Sequence, residues 1–329
     1  RRVDMRKLKW GVLGTGNIVA KAGRGLQLAG NAVWHGVAGR NRENSRTAAE
    51  RFGVSVAYDG YQELIDDPEI DAVYIALLNH LHMEWAVKAC EAGKHVLVEK
   101  PFAMNVQDAL RVKAAAERNG VLAAEAFVWK YHPAYDALKE RIRQGAIGTV
   151  AQFFAHFSFV AAPESTRWKK EWGGGSLYDV GCYPVSWSRF FMDAEPEAVE
   201  ASMVLHPEER VDKRFAGTLY FPGGRVAQIS SAFDMRLGSF FEILGTERRI
   251  AAHMKLTPET MTIVIASGDE REEWPMDRFR MFALQAERFG EQVLSGGPHV
   301  DALNDALAQA KVIEALMEAA HSGKRIEVG

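Results

Sequence analysis

The strongest constraint on this chain is a rhythm in its first 125 residues: short apolar runs separated by segments of helical periodicity. The runs are Trp10–Leu13, Ala32–Ala38, Asp71–Leu77, His95–Glu99 and Val121–Glu125. The helical segments are Asn17–Leu28, Glu43–Phe52, His82–Ala92 and Val106–Arg118. The apolar runs are near-continuous rather than alternating, as strands covered on both faces must be. Strands in step with helices at this spacing predict a doubly wound α/β domain with a parallel sheet.

The pattern changes near residue 128. Beyond it, Val150–Val160, Phe215–Phe221, Arg225–Phe233 and Phe240–Gly245 show alternation or are rich in β-branched and aromatic residues, and Pro222-Gly223-Gly224 suits a hairpin turn. A large, mostly antiparallel open sheet is expected, closed by helices over about Asp277–Leu294 and Val300–His321. A chain of 329 residues is ample for two domains, here read as 1–128 and 129–329.

Composition narrows the partners. The net charge is −3 with acids and bases interspersed, which offers no electrostatic handle for nucleic acid or an anionic membrane. No apolar run approaches the ~20 residues of a membrane span. Cys90 and Cys182 stand far apart, so neither a disulfide framework nor a zinc site is indicated, and no metal is expected. Arg1-Arg2 is not followed by the apolar stretch of an export signal and reads as an appendage before Met5. A cytoplasmic enzyme is the expectation.

Gly14-Thr15-Gly16 follows the first strand and opens the first helix. One glycine serves the tight turn, the second lets backbone approach a pyrophosphate, and the helix N-terminus offers free N–H groups to that anion. The fingerprint is incomplete, because Val19 stands where a small residue would let helix and strand pack closely. The second strand ends in Ala38-Gly39-Arg40-Asn41-Arg42, with no carboxylate to repel a 2′-phosphate and two arginines able to meet one. NADP(H) is favoured over NAD.

Lys100-Pro101 leaves the strand His95–Glu99, at the sheet edge where open α/β sheets bind ligands. A second cluster runs Gly173-Gly174-Gly175-Ser176-Leu177-Tyr178-Asp179-Val180-Gly181-Cys182-Tyr183. On one helix Asp179 and Tyr183 share a face, an acid beside a phenol suited to handling a proton. A nearby ammonium such as Lys100 would favour the phenolate. Taken alone, Tyr183 also fits an ordinary half-buried aromatic.

These motifs together resemble the glucose–fructose oxidoreductase/inositol dehydrogenase (Gfo/Idh/MocA) family over nearly the whole chain. The resemblance rests on Gly14-Thr15-Gly16-Asn17-Ile18, Asn79 and His82 before a helix, Ala92-Gly93-Lys94-His95-Val96 leading into Glu99-Lys100-Pro101, and Asp179-x-Gly181. Glu125–Pro133 and Asp179–Tyr183 look most like the branch of dimeric dihydrodiol dehydrogenase and NADP-dependent xylose dehydrogenase. Val19, Leu78 and Lys130 depart from the family's usual residues. The resemblance implies a Rossmann domain and a sheet domain that assembles dimers or tetramers. It implies cofactor contacts from Gly14, Thr15, Gly16, Asn17, Ile18, Arg40, Leu77, Asn79, His82, Glu99 and Lys100. It implies that Lys100, Asp179 and Tyr183 form the catalytic set and touch substrate; Trp129 and Trp168 are further candidates for substrate contact, on their aromatic character.

The expected reaction moves a hydride between the nicotinamide and a CH–OH or C=O carbon of a sugar, sugar derivative or trans-diol. Trp129, Trp168, Trp172, His156 and Phe157 are candidates for an aromatic wall or for core packing. Alternatives are an NAD(H)-linked inositol or ketosugar enzyme, and a dinucleotide-sensing regulator on the same fold. A short-chain-type dehydrogenase is disfavoured, because neither Tyr131 nor Tyr183 is followed four residues on by lysine.

Overall fold

Short buried strands, each followed by an amphipathic helix, build the first part of the chain. The computed structural model describes residues 6–296 and 300–329, so the Arg1-Arg2 reading lies outside the described residues. The elements are β1 (Leu8–Leu13), α1 (Asn17–Leu28), β2 (Ala32–Ala38), α2 (Arg42–Phe52), β3 (Val56–Tyr58), α3 (Tyr61–Asp66), β4 (Ala72–Ile75), α4 (His82–Glu91), β5 (His95–Val98), α5 (Val106–Asn119) and β6 (Ala123–Glu125). The strands pair in parallel in the order β3-β2-β1-β4-β5-β6, the order of a dinucleotide-binding sheet. Local chemistry sets the helix ends. Asn41 and Asn105 accept from the Asn44 and Asp108 amides at 2.9 and 2.8 Å, and α2 and α5 stop at left-handed Gly53 and Gly120.

The next part forms α6 (Pro133–Arg143), β7 (Val150–Val160), a π-helical turn (Leu177–Gly181), α7 (Cys182–Met192), β8 (Ala198–Leu205), β9 (Asp212–Phe221), β10 (Arg225–Ala232), β11 (Asp234–Gly245), β12 (Arg249–Leu256), β13 (Thr260–Ser267) and β14 (Glu270–Asp277). With β15 (Ile326–Glu327) these make a nine-stranded sheet ordered β14-β13-β12-β11-β7-β10-β9-β8-β15. The hairpin at Pro222–Gly224 joins antiparallel β9 and β10, and β10 runs parallel to β7. Alternation decides the faces. Phe153 on β7 and Phe241 on β11 are buried with Phe191 of α7 and Tyr135 of α6, at ring separations of 4.9 to 6.3 Å. The opposite face carries Phe154, His156, Gln228, Ser230 and Phe240 around an open hollow of about 450 Å³.

Two helices follow, α8 (Arg278–Leu294) and α9 (Val300–Ser322). The chain divides into two compact units, Arg1–Tyr131 with Asp277–Leu307, and His132–Met276 with Ala308–Gly329. The reading of 129–329 as one domain is corrected here: α8 belongs with the first unit. The physical reason is core packing. Phe289 of α8 lies 5.1 Å from the Trp10 ring of β1, and a Cβ on Gly25 of α1 would fall 2.4 Å from Phe282 Cβ. Among the described residues, no helix is long and apolar enough to cross a membrane.

Candidate active site

The first unit gathers its candidate residues just beyond the carboxyl ends of β1, β2, β4 and β5. Gly14 takes φ +114°, and a Cβ there would lie 2.2 Å from the Ala76 carbonyl oxygen, so only glycine fits this crossing. Gly16 caps α1, and a Cβ on it would meet nothing within 4 Å. No side chain caps α1 and no acid sits in its first turn, so the amides after Thr15, at Asn17 and Ile18, lie at the positive end of the helix dipole beside open space. This cradle fits a pyrophosphate. Val19 is fully buried in the apolar core rather than opening a close approach. Gly23 provides that approach instead: a Cβ there would fall 2.0 Å from the Trp34 ring of β2.

Arg40 follows β2 and is exposed. Its neighbours are engaged, Asn41 as the α2 cap and Arg42 with Asp59 at 3.0 Å. Among the described residues Arg40 forms no ion pair, which leaves its guanidinium for a phosphate.

Glu99 and Lys100 are half-buried after β5. The Tyr74 hydroxyl donates to Glu99 Oε1, and the Lys100 amide donates to Glu99 Oε2 at 3.3 Å. The Lys100–Pro101 bond is cis. His82 is fully buried, with Nδ1 2.7 Å from Pro101 O and Nε2 3.1 Å from Leu77 O. Burial pulls its pKa down to about 4, outweighing the two carbonyls, so the ring is neutral near pH 7 and the shorter contact assigns its N–H to Nδ1. His82 thus braces the Pro101 backbone from inside by donating from Nδ1. Asn79 is half-buried and opens the turn Asn79–Leu81 ahead of α4.

In the second unit, Gly173 and Gly175 adopt φ +77° and +121° ahead of the π-helical turn. Asp179 sits in that turn and Tyr183 in the first turn of α7, so the single regular helix expected for them is corrected to two windings. Asp179 Oδ2 accepts from Arg167 Nε at 2.6 Å. The Tyr183 ring is held 5.3 Å from Phe157 and 5.9 Å from Trp187. Cys182 is buried between them, consistent with packing.

The candidate aromatics lie in different surroundings. Trp129 and Trp168 are 2% and 7% exposed, and the Trp168 indole donates to Ala162 O at 2.9 Å while packing on Phe233. Both pack among the buried residues. His156 lies on the open sheet face, 2.8 Å from Ser230 Oγ, while Phe157, one residue on, faces Tyr183. Lys130 pairs with Asp305. Arg167, Asp212 and Tyr74 enter these networks without any sequence signal, because their partners come from distant segments.

Comparison with known proteins decides the family. Residues 8–127 match the model of an oxidoreductase family with an NAD-binding Rossmann fold, and residues 135–251 match the Gfo/Idh/MocA C-terminal domain. A D-xylose 1-dehydrogenase (NADP(+)) of Haloferax volcanii is 30% identical, covering 98% of this chain and 100% of its own. The chain belongs to the Gfo/Idh/MocA oxidoreductase family. This Gfo/Idh/MocA protein is therefore an NAD(P)-dependent oxidoreductase. A trans-1,2-dihydrobenzene-1,2-diol dehydrogenase of Xenopus tropicalis is 32% identical, with 80% of each chain covered. The structure of a 3-ketoreductase from Actinomadura kijaniata, in complex with NADP and TDP-benzene, superposes with TM-score 0.88 at 28% identity, over 95% of this chain and 98% of that one.

Proposed function

We propose that this Gfo/Idh/MocA protein is an NADP(H)-dependent dehydrogenase or reductase acting on a CH–OH or C=O carbon of a sugar, a sugar derivative or a trans-diol. The observation that carries the cofactor choice is Arg40: exposed, without an ion pair among the described residues, and with no carboxylate at the end of β2. The substrate class rests on the relatives, which are named for a sugar, a diol and a keto-reduction.

The nicotinamide, when bound, takes or gives the hydride. The chain's own residues handle the rest. In oxidation the Tyr183 phenolate accepts the substrate's hydroxyl proton and becomes the phenol, and in reduction the phenol returns it. The Lys100 ammonium stabilises the oxyanion that develops on the same carbon. Asp179 orients and electrostatically tunes the proton-handling group. Gly14, Thr15, Gly16, Asn17 and Ile18 hold the pyrophosphate, Arg40 the 2′-phosphate, and Leu77, Asn79 and Glu99 the nicotinamide side, with His82 bracing the Pro101 backbone next to Lys100. The open face of the nine-stranded sheet joins copies into a homodimer or homotetramer.

The test is a fluorescence titration with NADPH and NADH in parallel, followed by a turnover screen of sugars and diols with NADP⁺. Tighter NADPH binding with turnover of a sugar or diol supports the proposal. Tighter NADH overturns the cofactor choice, and binding without turnover of any of them overturns the reaction.

A further inference from the structure

Asp212 opens β9 and is 1% exposed. Its Oδ2 accepts from Ser176 Oγ at 2.7 Å and from the Leu177 amide at 2.7 Å, and the Ser176 amide also donates to it. Ser176 Oγ lies 2.9 Å from Ser231 Oγ of β10, and both serines are buried. Glycines let the turn close on this group. A Cβ on Gly175 would fall 2.2 Å from Asp212 Oδ1, and one on Gly181 would fall 2.8 Å from Ser231 Oγ. The π-helical turn Leu177–Gly181 has no side-chain cap of its own. The Leu177 amide that opens it is met by a carboxyl from a strand 35 residues further along the chain.

We infer that Asp212 is a positioning residue for the proposed reaction: it clamps the start of the π-helical turn and so keeps Asp179 and Tyr183 at their mutual angle. The winding explains why a clamp is needed. Wider π turns are uncommon and occur mostly as single turns, so an unclamped segment relaxes toward regular α-helix. That relaxation rotates Asp179 about the axis relative to Tyr183. Burial raises the Asp212 carboxyl to about 6 against the pull of its donors, and the Asp212 charge helps burial push Tyr178 up to about 12. The carboxylate is thus the form near neutral pH, the form that accepts all these hydrogen bonds at once.

The inference rests on the roles given above to Asp179 and Tyr183, and its test separates the two. Asp212→Asn keeps the shape but aims an amide donor at the turn, and Ser176→Ala removes one hydrogen bond with little change in volume. Hydrogen exchange of the peptide spanning 177–186 is expected to quicken about tenfold or more in both variants, while NADPH affinity stays within about twofold. On a substrate that the native enzyme turns over, kcat falls about tenfold or more with KM nearly unchanged. Unchanged exchange in a folded variant, or native kcat, overturns the inference. Should Asp212→Asn fail to fold, Ser176→Ala carries the same two readouts. Should the native protein turn over no sugar or diol, the proposed reaction fails, and the exchange readout alone decides whether Asp212 clamps the turn.

Discussion

Arg167 Nε lies 2.6 Å from Asp179 Oδ2, tying the loop before the glycine cluster to the π-helical turn. The arginine side chain is 47% exposed and the aspartate 17%. Solvent screens such a pair, so Arg167→Ala is expected to cost less than about 1 kcal/mol of stability. Its effect falls on catalysis, because Asp179 loses the guanidinium that orients its carboxylate. Steady-state kinetics should show kcat/KM lowered about tenfold at an almost unchanged melting temperature. A large fall in melting temperature with native kinetics would reverse that ordering.

The proposed preference for NADP(H) rests on Arg40. A charge-assisted hydrogen bond contributes about 1.5–3 kcal/mol, so Arg40→Ser should weaken NADPH binding roughly tenfold to a hundredfold. NADH lacks the 2′-phosphate and should bind the variant as it binds the native chain. Fluorescence titration with both nucleotides reads the difference, and an equal loss for the two would remove Arg40 from the phosphate.

The proposed roles of Lys100 and Tyr183 are at the reacting oxygen rather than at the phosphates of the nucleotide. Lys100→Ala and Tyr183→Phe should each lower kcat about a hundredfold or more while NADPH affinity changes little. Native turnover in either variant would dismiss that residue from the chemistry.

Acid should destabilise the fold through its buried histidines. His82 and His132 are pulled down to about 4 by burial. Their unfolded value is near 6.5, so between pH 6.5 and 4 the unfolded chain binds more protons, and stability is lost as pH falls through that window. Asp212 acts in the opposite sense. Its folded value of about 6 exceeds its unfolded one, so the folded chain binds the extra proton between about 4 and 6. The three groups together leave about one net proton taken up on unfolding near pH 5, a slope of roughly 1.4 kcal/mol per pH unit. Urea denaturation at pH 7 and pH 5 measures it, and His82→Gln should flatten the slope if the variant folds.

Phe240 stands 45% exposed on the open sheet face beside His156, at a ring separation of 5.4 Å. Phe240→Glu should shift the sedimentation coefficient toward the monomer without changing NADPH affinity. An unaltered coefficient would move the subunit contact away from this face.

Much of the first unit was legible because its signals are local. The spans of α1 and β2 follow directly from periodicity and the flanking glycines. β3 and α3 were not read, since three and six residues are too short to establish a period. β12 and β13 carry a usable alternation, but β14 is crowded with charge and contains Pro275, which hides a strand. In the site, glycines and the Lys-Pro step were visible because backbone geometry demands particular residue types. Asp212, Arg167 and Tyr74 were invisible because any acid, base or phenol looks alike until folding brings its partner. The burial of Trp168 was hidden for the same reason: a sequence cannot distinguish an aromatic that faces a ligand from one that fills a core.

The discontinuous first unit has a consequence for how the protein is born. Tyr131 and Asp277 are 146 positions apart, yet both belong to that unit. At a ribosomal pace of about 5–20 residues per second, ~7–30 s pass between them. During that interval Trp10 and Gly25 wait for Phe289 and Phe282, with part of the nucleotide unit's apolar surface still uncovered. A nascent chain halted near residue 128 is thus an incomplete body that invites chaperones, not a ready-made module that evolution could cut out and splice elsewhere.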